Sequence, residues 1–152
     1  YGNLAKGNYD DQISTGTVTS GEISIAVKEK TQLTFALYMD TETSATYDKL
    51  DVIVFVGAKQ YIVWNKKATG FAVKKWVEYT VDLSAFAGKT VKVQFLFDTN
   101  DPVANTGEGV YLDEVRIDRS CTDWVCNKPA DCNDGHAFSV DGCTGGFCSF
   151  AI

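Results

Sequence analysis

The chain has one histidine and two prolines in 152 residues, and none of its five cysteines lies before residue 121. Each scarcity excludes something. With His136 as the sole imidazole, a Ser-His-Asp or Cys-His arrangement would have to be built from that one residue. An exposed loop histidine beside Gly135, in a cysteine-rich segment, is the plainer reading. Two prolines together with 12% aromatic residues exclude collagen, coiled coil and wholesale disorder. Long apolar runs are missing too: Val52-Ile53-Val54-Phe55-Val56 is far too short to cross a bilayer, so no membrane insertion is expected. Basic residues number 14 against 20 acidic ones, for a net charge of −6 and a pI of ≈ 4.7. A nucleic-acid backbone is therefore a poor partner, because phosphate binding needs a basic face.

What is present is strand signal. Ile23, Ile25 and Val27 alternate with smaller residues, as do Leu33, Phe35, Leu37 and Met39 with Thr34, Ala36 and Tyr38. Val77, Tyr79 and Val81 follow the same rule, and so do Val91, Val93, Phe95 and Phe97. Period-two alternation marks sheets with one face in a core and one toward water. Leu50 to Val56 and Tyr61 to Trp64 are nearly continuous and read as more deeply buried strands. No long stretch carries a helical stripe, and Ser84 to Ala87 is one turn at most. The expected fold is all-β, an antiparallel two-sheet β-sandwich over residues 1–118, followed by a disulfide-stapled tail over 119–152. In the last strand Val110 and Leu112 share one parity and Val115 and Ile117 the other. That slip predicts a β-bulge at Asp113-Glu114. The bulge would either turn a carboxylate inward or merely curve an edge strand.

The cysteines, Cys121, Cys126, Cys132, Cys143 and Cys148, follow the spacing C-x4-C-x5-C-x10-C-x4-C. No C-x2-C pair favours zinc, and clustered thiols in a small Gly-rich segment predict disulfides formed in an oxidising compartment. A secreted or cell-surface protein is expected. Two bridges leave one thiol over; five choices of that thiol and three pairings of the rest keep about fifteen connectivities open. The chain opens on Tyr1, not Met, so its start is expected to reflect processing or the choice of boundaries, and a module cut from, or accessory to, a longer parent polypeptide is expected.

Candidate binding residues fall in two groups. Acidic residues sit in loops beside strands, and Asp40-Thr41-Glu42 next to an inward-turned Asp113 would offer part of the oxygen shell that Ca²⁺ requires. Among aromatics, Trp64 and Trp76 flank strand signals and read as core, which leaves Tyr61, Tyr79 and Trp124 as candidate sugar contacts. The Lys66-Lys67 and Lys74-Lys75 pairs around Gly70 read as a solvated hairpin tip. Acidic residues are plentiful, yet so short a chain has no spare elements for a deep catalytic cleft, and no enzymatic activity is expected.

Residues 8–117 also resemble a known family. Gly7-Asn8-Tyr9-Asp10, Gly16-Thr17-Val18-Thr19-Ser20, Leu33-Thr34-Phe35 with Glu42 and Tyr47-Asp48, Trp64, Trp76, Val81-Asp82-Leu83-Ser84, Gly88-Lys89 and Gly109-Val110-Tyr111-Leu112-Asp113-Glu114-Val115 occur in order. In that series the chain is similar to the MAM-like jelly-roll module of secreted bacterial proteins, including the accessory part of immune-inhibitor-A-type metalloproteases. The resemblance implies a jelly-roll sandwich without catalytic machinery. It further implies a structural Ca²⁺ between Asp40 or Glu42 and Asp113, with Asp10 and Asp48 as further candidates. Cys126 to Cys148 resembles the cysteine-rich repeats of myxobacterial surface proteins, which commonly carry a cysteine where this chain has Phe138. The expected function is non-catalytic binding of a glycan or polysaccharide. Adhesion to an extracellular surface protein, or self-association, is the alternative.

Overall fold

A computed structural model describes residues 7–9, 12–27, 29–44, 46–120 and 125–152. Among them are the strands β1 (Thr15–Thr19), β2 (Ile23–Ser24), β3 (Lys30–Asp40), β4 (Lys49–Val56) and β5 (Lys59–Asn65). A four-residue helix, α1 (Lys66–Thr69), separates them from β6 (Trp76–Asp82), β7 (Thr90–Asp98) and β8 (Gly109–Ser120). The tail adds a hairpin, β9 (Val140–Thr144) and β10 (Phe147–Ala151).

The alternating segments become two antiparallel sheets. One runs β1-β7-β4-β5, with β2 also on β7; the other runs β6-β3-β8. Their apolar faces meet because period two places every second side chain on the same side. From β3, Leu33, Phe35, Leu37 and Met39 point inward at 0–1% exposure, and Leu50, Val52, Val54, Val91, Val93, Phe95 and Phe97 face them. Phe35 sits at the centre, its ring 5.1 Å from Phe95 and 5.8 Å from Trp64 across the interface, both edge-on. The architecture is thus a two-sheet jelly-roll sandwich. The stretch from Tyr61 to Trp64 differs from expectation: β5 is an edge strand, and a register shift sets Ile62 opposite Ile53 on the face away from the core, where it is 53% exposed.

The tail is crosslinked as Cys126–Cys143 and Cys132–Cys148, an interlaced pattern that ties the hairpin to the segment before it. Gly145 and Gly146, both at positive φ, make the two-residue turn of that hairpin. The tail then rests on the sandwich through Phe138, whose ring lies 5.1 Å from Tyr61 and 5.7 Å from Phe86. His136 is not a free loop side chain: its ring stacks on Phe138 at 4.8 Å and its Nε2 lies 2.6 Å from the Asp82 carbonyl.

Phe35→Ala empties the centre of the interface and lowers stability by about 3–5 kcal/mol, read as a fall in the urea midpoint. Asp51, half-buried on β4, has its carboxyl raised above the ordinary 3.8, chiefly by burial and further by the charge of Asp98. The folded state therefore holds this proton longer than the unfolded chain, and stability falls as pH rises from 3.8 through the raised value. Asp51→Asn removes that fall, so the variant matches the parent in acid and exceeds it at neutral pH in parallel denaturation series.

Candidate functional site

The outer face of the β6-β3-β8 sheet carries an aromatic row. Antiparallel register sets Tyr38 opposite Trp76 on one side and opposite Tyr111 on the other. The Tyr38 ring is 5.8 Å from Trp76 and 5.7 Å from Tyr111, at interplanar angles of 48° and 73°. Tyr38 is half-buried between its neighbours, whereas Trp76 is 49% and Tyr111 43% exposed. Three rings in register on three adjacent strands form a twisted platform open to water. Loss of hydration raises the Tyr38 hydroxyl above its ordinary value, and the charges of Glu108 and Asp40 raise it further.

One register step along, the row reads Glu78, Ala36, Asp113. The small Ala36 side chain leaves a groove of ≈ 370 Å³ lined by Ala36, Trp76, Val77, Glu78, Asp113 and Glu114. The bulge expected in β8 is here: Thr34 pairs with Arg116 but Ala36 pairs with Asp113, so Phe35 faces two residues, and Glu114 has a φ of 49°. The carboxylate, however, does not turn inward. Asp113 is exposed, level with Ala36, and its Oδ1 accepts the Glu114 N–H at 2.7 Å. Beyond the groove, the Arg116 guanidinium is held by Glu78 and Asp118, each at 3.1 Å. A second depression, of ≈ 620 Å³, touches Trp76, Tyr111 and Asp113 and extends to Gly16-Thr17-Val18 of β1, where the sandwich edge is open.

Of the acidic residues expected around Ca²⁺, Asp113 lies apart from Asp40, whereas Glu42 and Asp48 meet in the 41–48 loop. Asp40 and Asp113 lie four pairing positions apart on the sheet, about 13 Å at strand rise. Asp40 is taken up by the Lys74 ammonium at 3.3 Å and the Glu108 N–H at 3.1 Å. Asp48 is fully buried, accepting the Tyr9 hydroxyl and the Glu42 N–H, the latter at 2.8 Å. Asp10 is outside the described residues. Among the described residues, the one group of three acidic, thiol or imidazole ligands within 4.8 Å is Cys126, Cys132 and Cys148, whose sulfurs are in disulfides.

A lysine occupies the middle of the 41–48 loop. The Lys66-Lys67 pair was expected in a solvated turn, yet Lys66 is 4% exposed. Asn65 caps α1 by accepting the Ala68 N–H at 2.7 Å, and Gly70 ends it at a φ of 74°, so this single turn directs Lys66 inward. Its ammonium donates to the Glu42 carbonyl (2.6 Å), the Asp48 carbonyl (2.9 Å), Thr41 Oγ1 (3.2 Å) and the Tyr47 carbonyl (3.4 Å), and lies 4.5 Å from the Phe71 ring centre. Burial lowers the Lys66 pKa, while the charges of Asp48 and Glu42 pull it back up. The 41–48 loop is thus folded around an ammonium ion supplied by the chain itself.

The expected sugar contacts are also redistributed. Tyr61 is covered by Phe86 and Phe138, and Tyr79 packs on Phe35 and Trp64 inside the sandwich, so neither forms an open platform. Trp64 is core at 6% exposure, but Trp76, expected there too, is on the outer face. Trp124 and Cys121 lie outside the described residues. A scan against models of protein families finds no match, and a search of curated proteins finds none either.

Lys66→Met leaves four buried or part-buried acceptors without their donor and is expected to cost about 3 kcal/mol. A fall in the urea midpoint at unchanged slope checks it.

Proposed function

We propose that the protein is a non-catalytic extracellular module that binds carbohydrate on the outer face of the β6-β3-β8 sheet. The observation that carries this is the row Trp76, Tyr38, Tyr111: pyranose rings present flat C–H faces that pack on aromatic rings, while hydroxyls seek the carboxylates beside them. Because the rings are mutually inclined, the platform suits a solvated polysaccharide chain and not a flat crystalline surface. Two disulfides support an oxidising, secreted or surface location. A structural part for His136, pinned between Phe138 and Asp82, agrees with the absence of a catalytic step from the proposal.

Calcium enters in a restricted form. Asp48 Oδ1 and Asn105 Oδ1 are buried without a hydrogen-bond partner, and Tyr9 links their loops, its hydroxyl on Asp48 and 3.4 Å from the Ala104 carbonyl. Oxygen donors of this kind suit a hard cation. Asp48 and Asn105 would hold it, and its charge would fix the two loops. Thermal scans with Ca²⁺ and with EDTA test this: a midpoint that rises with Ca²⁺ in the parent but not in Asp48→Asn supports it, and identical scans remove it.

Trp76→Ala and Tyr111→Ala are each expected to weaken polysaccharide binding about tenfold. Both sit on an exposed face, so stability should move by no more than about 0.5 kcal/mol. Affinity electrophoresis against a panel of soluble polysaccharides reads the first, thermal unfolding the second. Unchanged retardation of the double variant would overturn the carbohydrate reading. Self-association is the second reading, favoured by the open β1 edge, where Val18 is 63% exposed beside the larger depression. Sedimentation of the parent and of Val18→Lys over a concentration series distinguishes it.

A further inference from the structure

We infer that the aromatic row and its groove select polysaccharide chains whose rings bear protonated amino groups. The inference rests on the carbohydrate reading and adds the charge of the ligand. Of the six residues lining the groove, Glu78, Asp113 and Glu114 are carboxylates, and none is basic. The nearest guanidinium, Arg116, comes from one register step further along and is already shared by Glu78, Asp118 and, at 3.9 Å, Glu114. On the other side of the row, Lys74 is paired with Asp40. Asp113 stands apart: it is exposed, it borders both depressions, and no ion pair holds it among the described residues.

The placement has a chemical consequence. A chain lying along Trp76, Tyr38 and Tyr111 passes its ring substituents over Ala36, between Glu78 on β6 and Asp113 on β8. A neutral hydroxyl there gains an ordinary hydrogen bond. An ammonium gains a charge-assisted one and meets an uncompensated carboxylate, whereas a uronate meets like charge. The net charge of −6 extends the same bias to long range. Each contact is solvent-exposed, so the discrimination is modest and sensitive to salt.

The test compares three β-1,4-linked or α-1,4-linked hexamers on the full chain: glucosamine, glucose and galacturonate. Calorimetric titration is run in low salt near pH 5.5, where sugar amines are protonated and carboxylates ionised. The glucosamine hexamer should bind roughly fivefold tighter than the glucose hexamer, and the galacturonate hexamer more weakly than either. The preference should collapse toward one in ~0.5 M NaCl and in Asp113→Asn, while Asp118→Asn, outside the groove, retains it. Equal affinities for glucose and glucosamine hexamers, or tighter binding of galacturonate, would overturn the charge selection and leave the carbohydrate reading standing. Failure of every hexamer to bind, with Trp76→Ala indistinguishable from the parent, would overturn both.

Discussion

One strand carries two burdens, and the rest of the molecule depends on the phase that separates them. The inward side chains of β3, Leu33, Phe35, Leu37 and Met39, form the centre of the sandwich. Its outward ones, Ala36, Tyr38 and Asp40, form the floor, middle ring and end of the outer face. A slip of one residue would send Tyr38 into the core and Phe35 into water, so burial of the apolar set fixes the platform's register. Both neighbours are set by the same pairing. Trp76 and Tyr111 flank Tyr38 because β6 and β8 are hydrogen-bonded to it there.

The bulge in β8 preserves that arrangement. Without an extra residue at Glu114-Val115, the strand could not keep Val110 and Leu112 inward at one end and Ile117 opposite Leu33 at the other. The cost is a non-glycine residue at positive φ, Glu114, on the rim of the groove. Backbone irregularity and candidate site coincide, as they often do at sheet edges.

Away from this face, the loops are held by polar groups that a two-layer sandwich cannot cover with apolar ones. Tyr9 and Lys66 both hold Asp48, one through its carboxylate and one through its backbone carbonyl. Close approach tightens the same end: a Cβ on Gly107 would lie 1.9 Å from the Asp40 carbonyl oxygen, so only glycine lets the 101–108 loop lie there. At the other end, Phe138 does by packing what a further crosslink would do by covalent bond. It anchors the tail on Tyr61 and Phe86.

The sequence by itself determined the all-β class, the inward face of β3, β6 and β7, the bulge and the stapled tail. These follow from alternation and composition, which are local. The outward Tyr38 was legible too, since it alternates with Leu37 and Met39, and parity puts Trp76 opposite Val77 in the same way. What alternation cannot state is which strands are neighbours. Only strand order brought Trp76, Tyr38 and Tyr111 into one row, sent Tyr61 under Phe138 and left Asp113 remote from Asp40. Lys66 shows the same limit from the other side: a lysine in a polar turn looks solvated until four backbone and side-chain oxygens, brought in from residues 41–48, converge on its ammonium. Contacts between residues far apart in the chain are tertiary facts, because each side chain's local pattern is compatible with several partners and packing chooses one.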